Sequence, residues 1–212
     1  MNSFFDLESK LFYHGNRIAD LILLNILTLV CCIPIITIGA SCSALYYAVF
    51  KIYLDDESKA INNFFIAFRS NFKQASTIWC IYLTLGVILG ACYYTVANDI
   101  VEINMFFRYG LFLLTIFMLF SLCWVFIFLS RYDNTLIETI RNAFIIGMTH
   151  WIETIVMCFM MLLPICLCAI FPPFIGFWSL IGVTAPCYFQ AHIYGKIFEK
   201  CESDCSNETK DR

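Results

Sequence analysis

Leu21 to Phe50 reads LILLNILTLVCCIPIITIGASCSALYYAVF, 30 residues without a charged side chain. One membrane crossing takes about 20 apolar residues, so the stretch is long for one helix and short for two. Pro34 and Gly39 decide how it is read. Pro34 has no N–H to donate and pushes Ile33 away from helical geometry. Gly39 permits a sharp change of direction. The stretch therefore reads as a helix descending to about Ile33, a turn at Pro34–Gly39 and a second helix rising from there to about Leu54. The alternative is a single long helix, tilted and kinked at the proline.

Working outward, the whole chain has the same character. Of 212 residues 61% are hydrophobic and 14% charged, against about 25% charged in soluble domains. That composition makes it a polytopic membrane protein. The net charge of −3 gives no reason to expect nucleic acid. No Gly-rich phosphate loop, zinc-ligand spacing or nucleophile elbow occurs. Of the 12 cysteines, ten lie inside apolar segments, where they behave as small hydrophobes. Cys201 and Cys205 stand in a polar tail and are expected to be free thiols in a reducing cytoplasm. No metal and no cofactor is expected. Acidic Asp6, Glu8 and Asp20 argue against a signal peptide.

Along the chain, Phe4, Phe5, Leu7, Leu11 and Phe12 suit one face of a short surface helix. Asp55–Ser58 reads as a polar turn. Ile61, Phe64, Phe65, Phe68 and Phe72 then recur at helical spacing opposite Asn62, Arg69 and Lys73, which predicts an amphipathic helix lying in the interface. Gln74–Asn98 and Tyr109–Ser130 are uncharged and long enough to cross, with Asp99 and Glu102 between them. Thr135 and Glu138 fit a capping box at the head of a second amphipathic stretch (Leu136, Ile137, Ile140, Phe144). From Thr154 to Gly195 there is no Asp, Glu, Lys or Arg. Pro172–Pro173 marks a turn there, and Pro164 and Pro186 are expected to kink the flanking helices. The fold class is all-α: a transmembrane bundle of six helices (about 18–33, 38–54, 74–98, 105–131, 150–171 and 174–197), or five under the single-helix alternative, plus interfacial amphipathic helices. Residues 1–198 form one domain, and 199–212 form a disordered cytoplasmic tail.

Two further patterns bear on this map. Phe68-Arg69-Ser70-Asn71-Phe72 with Thr77 and Trp79 aligns, at an offset of 72, with Ile140-Arg141-Asn142-Ala143-Phe144 with Thr149 and Trp151. That suggests a structural repeat of amphipathic helix followed by crossing helix. With six helices and both repeat loops inside, 12 of the 13 basic residues are cytoplasmic and only Arg108 is outside, as the positive-inside rule asks. Both termini are then cytoplasmic.

Asn25-Ile26-Leu27, the run Cys32 to Gly39, Ala44-Leu45-Tyr46-Tyr47, Phe64-Phe65 and Phe68-x-x-Asn71-Phe72-Lys73-Gln74 resemble the signature of the YesL-like bacterial membrane proteins. Cys42 and Ser43 depart from the family's small Thr or Ala. The resemblance implies a multipass cell-membrane protein of a Gram-positive bacterium, from a family of unknown biochemical function. Members are often encoded beside carbohydrate ABC importers and sensor kinases, which implies a link to sugar utilisation.

The chemistry on offer is sparse. Asp20, His150, Glu153 and His192 stand near helix ends rather than in a span, where ion-coupled transporters commonly keep such groups. Asn25, Pro34, Thr37 and Gly39 are the candidate ligand-binding or hinge residues. Carbonyls freed at the break, with nearby hydroxyls, would suit a neutral solute such as a sugar. The same small polar residues equally suit close helix packing. Phe64, Phe65, Phe68, Arg69, Arg141 and Phe144 are the candidate partner surface. Acid, base, nucleophile and metal ligands nowhere assemble, so no enzyme is expected. Two functions are carried forward. One is an accessory or regulatory protein contacting an importer or sensor kinase subunit from within the lipid bilayer. The other is a small transporter or channel for a neutral solute.

Overall fold

The computed structural model describes residues 2–54, 59–98, 104–132, 134–170, 173, 176 and 182–195. The expected turn at Asp55–Ser58, the Asp99–Glu102 loop, Pro172 and the tail with Cys201 and Cys205 lie outside them. Among the described residues there is no strand. The helices are α1 (Asn2–Cys31), α2 (Ile38–Leu54), α3 (Ala60–Ala97), α4 (Met105–Arg131), α5 (Leu136–Thr149) and α6 (Trp151–Ile170). A last helix, α7, covers 184–195.

Three of these are long and apolar enough to cross a membrane. They are Ile35–Tyr53, counted with the short turn before α2, then α3 and α4; the bent pair α5–α6 is a fourth if it forms one broken span. Apolar helices of this length are those of a membrane protein in contact with lipid. The count falls short of the six expected. The apolar part of α1 is brief, and nine of the 24 residues of the expected 174–197 helix lie outside the described residues.

Two boundaries differ in kind. The residues expected as a separate surface helix are the first turns of α1. Likewise Ala60–Lys73 is not an independent interfacial helix. It is the first part of α3, which runs unbroken for 38 residues, about 57 Å at 1.5 Å per residue. Its apolar side is needed for packing: Phe64 is fully buried, as are Ala60 and Ala67.

The long helix α3 is the spine. α2 packs antiparallel along its first half, with Ala40, Ala44 and Ala48 buried at four-residue spacing and Ala60, Ala67 and Ala75 buried on α3. Small residues in register let two backbones approach closely where lipid supplies little hydrophobic drive. α4 packs antiparallel along the second half. Tyr93 and Thr115 hydroxyls meet at 3.1 Å, the Tyr82 and Ser121 hydroxyls share a hydrogen bond, and Asn71 donates to Leu129 O at 3.0 Å. α7 lies beside α2, with Phe50 and Tyr194 stacked at 5.4 Å between ring centroids.

The second repeat unit folds differently from the first. α5 and α6 meet at 103°, whereas the matching point in α3 is continuous. The two aligned tryptophans also differ: Trp79 is half-buried against the hairpin, and Trp151 is exposed. The bend is accommodated by Thr154, whose hydroxyl accepts from Trp124 Nε1 at 2.9 Å. The same hydroxyl lies 2.7 Å from His150 O and 3.1 Å from Gly147 O, carbonyls at the break. The α5 start carries the expected capping box: Glu138 Oε2 accepts from Thr135 N–H at 3.1 Å. Pro186 sits in the first turn of α7, where its missing N–H costs no helical bond, so it starts that helix rather than kinking it.

Candidate functional site

The α1–α2 break is a true hairpin. Arg17 Nη2 donates to Ile52 O at 3.2 Å, so residues equidistant from the turn lie side by side. The turn runs from Cys32 to Thr37. Pro34 is extended (φ −76°, ψ 124°) and caps a single 3-10 turn, Ile35–Thr37, that leads into α2.

Gly39 does not make the turn. It lies in the first turn of α2, buried. A Cβ there would meet Ala75 O at 2.6 Å, Trp79 Cβ at 2.7 Å and Phe126 Cε1 at 3.1 Å. It is a point of close approach of α2 to α3, and the directional freedom expected of it is not used.

Four carbonyls at the break, those of Cys31, Pro34, Ile35 and Thr37, have partners within the protein. Thr37 Oγ1 stands 2.6 Å from Cys31 O and 2.7 Å from Pro34 O, and Thr37 N–H also donates to Pro34 O. Trp79 Nε1, from α3, donates to Ile35 O at 2.8 Å, and Ser41 Oγ donates to Thr37 O at 2.9 Å. Breaking a helix frees its last carbonyls; here nearby side chains take them up, so Thr37 is a capping residue.

Asn25 is fully buried, and its Oδ1 accepts from Val183 N at 3.0 Å and Thr184 N at 3.1 Å. These are the N–H groups at the head of α7, left over because a helix start has no intrahelical acceptor for them. Asn25 therefore works as an N-cap supplied from another helix. Of the four candidate ligand residues, Pro34, Thr37 and Gly39 come together at the hairpin tip, and Asn25 stands apart from them along α1.

One polar residue of the interior was not singled out from the sequence. Gln190 is buried, accepts from Tyr46 OH at 2.8 Å and donates to Met157 O at 3.1 Å, tying α2, α6 and α7 together. Its signal was available: it is the one amide side chain between Thr154 and Gly195. Asn71 and Gln74 donate to Leu129 O and Asn134 O, joining α3 to the end of α4.

The candidate partner surface divides. Phe64 is buried and stacked on Phe68, which is half-buried, so Phe64 presents no free face and Phe68 only part of one. Phe65, Arg69 and Arg141 are exposed. Phe144 is partly exposed and edge-on to Phe117. It helps line an apolar groove of about 270 Å³ between α3, α4 and α5, whose walls include Leu85, Leu114, Met118 and Ile140. That lining suits hydrocarbon, not a sugar.

The groups near helix ends pair locally. His150 Nδ1 is 3.6 Å from Glu153 Oε1, and Tyr53 OH is 2.6 Å from His192 Nδ1. Cys123 Sγ and Cys158 Sγ lie 3.2 Å apart across α4 and α6. Among the described residues no three His, Cys, Asp or Glu side chains come together as metal ligands would.

A model of the family described as "Protein of unknown function, DUF624" matches residues 21–93. That third of the chain, from α1 through most of α3, is what the protein shares with the family. No curated protein matches the chain. No solved structure matches it.

Proposed function

We propose that this is an accessory or regulatory membrane protein whose face along the first half of α3 docks a partner subunit at the cytoplasmic membrane surface. One observation carries the reading. Ile61, Phe65 and Phe72 are exposed together at the three- and four-residue spacings that share one helix side, with exposed Arg69 and Lys73 along its edge. Exposed aromatics interleaved with cations resemble the core of a docking patch. The polar groups at the hairpin offer a solute less, because Asn25, Thr37 and Trp79 each bond to the protein's own backbone. A solute vestibule loses its main support thereby.

The orientation that goes with this reading places residues 1–17, 51–73 and 131–141 inside, as the basic residues prefer. The carbohydrate importer or sensor kinase as partner rests on the YesL-like resemblance and its gene neighbourhood. The reading involves no catalysis. A photoreactive residue at Phe65 or Asn142, crosslinked in native membranes and followed by mass spectrometry, tests it. A reproducible importer or kinase subunit supports the proposal and names the pathway. Crosslinks only to lipid or to a second copy refute it in favour of an autonomous transporter, for which flux in liposomes is the next measurement.

A further inference from the structure

We propose that the α1–α2 hairpin does not cross the bilayer: it enters and leaves on one side, with the Ile33–Ile36 tip among the acyl chains part-way through.

The limbs are too short to cross. The uncharged part of α1, Leu21–Cys31, is 11 residues, about 17 Å. The uncharged part of α2, Ile38–Phe50, is 13 residues, about 20 Å. A hydrocarbon core is about 30 Å thick. Ile35–Tyr53 qualifies as a span only by counting the turn and Lys51.

The height of the tip against α3 says the same. Ile35 O is bonded to Trp79 Nε1, and Gly39 abuts Ala75. α3 continues 18 residues past Trp79 to Ala97, about 27 Å. Lys73, the last charge of α3, is six residues the other way, about 9 Å. The tip is thus only about a quarter of the way up the part of α3 that is free of charge.

The chemistry of the tip fits that depth. Ile33, Ile35 and Ile36 are 77%, 64% and 61% exposed, with no charged residue beside them. A turn in water would be costly with three such side chains outward. In hydrocarbon each unsatisfied backbone group costs several kcal/mol, so an irregular turn at that depth must keep its backbone against protein. Here Thr37 and Trp79 hold the carbonyls of Cys31, Pro34 and Ile35. Apolar side chains outward, with these three carbonyls held inward, fit a hydrocarbon setting. Charge counting does not separate this arrangement from two full crossings, since both leave residues 1–17 and 51–59 on the same side.

The test places an environment-sensitive fluorescent amino acid at Ile35 in the full chain, reconstituted in phosphatidylcholine vesicles. A second variant carries it at Phe106, an 86% exposed residue at the far end of α4. Quenching by mid-chain brominated lipid is compared with quenching by aqueous iodide. The expected result is strong bromine and negligible iodide quenching at Ile35, with the ratio shifted toward iodide at Phe106. Iodide quenching at Ile35 overturns the proposal, since a tip that crosses fully meets water. Quenching by neither overturns it too, because the tip is then covered by protein. Ile36, equally outward, serves as the alternate label site if the Ile35 variant does not elute as a single species.

Discussion

Gly39→Ala tests whether α2 and α3 are held at close approach. The added methyl would stand 2.6 Å from Ala75 O and 2.7 Å from Trp79 Cβ. Neither neighbour is the end of a flexible side chain, so relief requires the two helices to part by most of an ångström. Overpacking of this kind costs about 1–3 kcal/mol. Against it stands the higher helix propensity of alanine, which favours the change by about 1 kcal/mol. Parting the helices also stretches the Trp79–Ile35 hydrogen bond, and a group left unpaired where the tip faces acyl chains instead of water costs about 1–3 kcal/mol more. The expected net effect is destabilisation of about 1–5 kcal/mol, or a Tm lowered by roughly 2–4 °C for each kcal/mol in a chain of this size. Gly90 in the same helix system is the control, because a Cβ there meets nothing within 4 Å; Gly90→Ala is expected to be neutral or stabilising. Thermal unfolding of both variants in one detergent, followed by the surviving monodisperse fraction, gives the comparison. If Gly39→Ala melts at or above the wild type while Gly90→Ala behaves as expected, the close-approach reasoning is wrong.

Other outcomes follow from the same hydrogen bonds. Trp79→Phe keeps the ring and removes the donor to Ile35 O, and should lower stability by about 1–3 kcal/mol; Trp151→Phe, exposed, should change it far less, both read by the same melt. Asn25→Leu deprives Val183 and Thr184 N–H of their acceptor and should cost a similar amount, with faster hydrogen exchange concentrated at the head of α7. Thr135→Ala removes the cap of α5 and should cost about 1 kcal/mol, with exchange rising over Leu136–Thr139 and little change in α3.

How much of this was legible beforehand follows from what is local. The helical class, the break before Ile38, the capping box at Thr135 and the end of α4 near Arg131 rest on neighbours within a turn or two. A proline lacks its N–H wherever it stands, and an uncharged run prefers lipid whatever it packs against. These readings hold. The interfacial reading of Ala60–Lys73 fails because an amphipathic face looks alike whether lipid or another helix covers it. Here α2 covers it and buries Phe64. The aligned Arg–Phe–Thr–Trp pattern fails as a repeat because four matching residues do not specify a backbone, and α5–α6 bends where α3 runs straight.

The sequence by itself determined that this chain is helical, apolar and broken near Pro34, since run length, charge and backbone chemistry are properties of the residues in place. Only the tertiary structure decided what the break is for. The acceptor of the Trp79 N–H lies 44 residues away, and Asn25 caps a helix 158 residues further on. Gly39 matters through Ala75 and Phe126, not through its own dihedral freedom. Which helix lies against which, and at what height, is a sum over many distant contacts, so the shallow reach of the hairpin became visible only when Trp79 was found holding its tip half-way along α3.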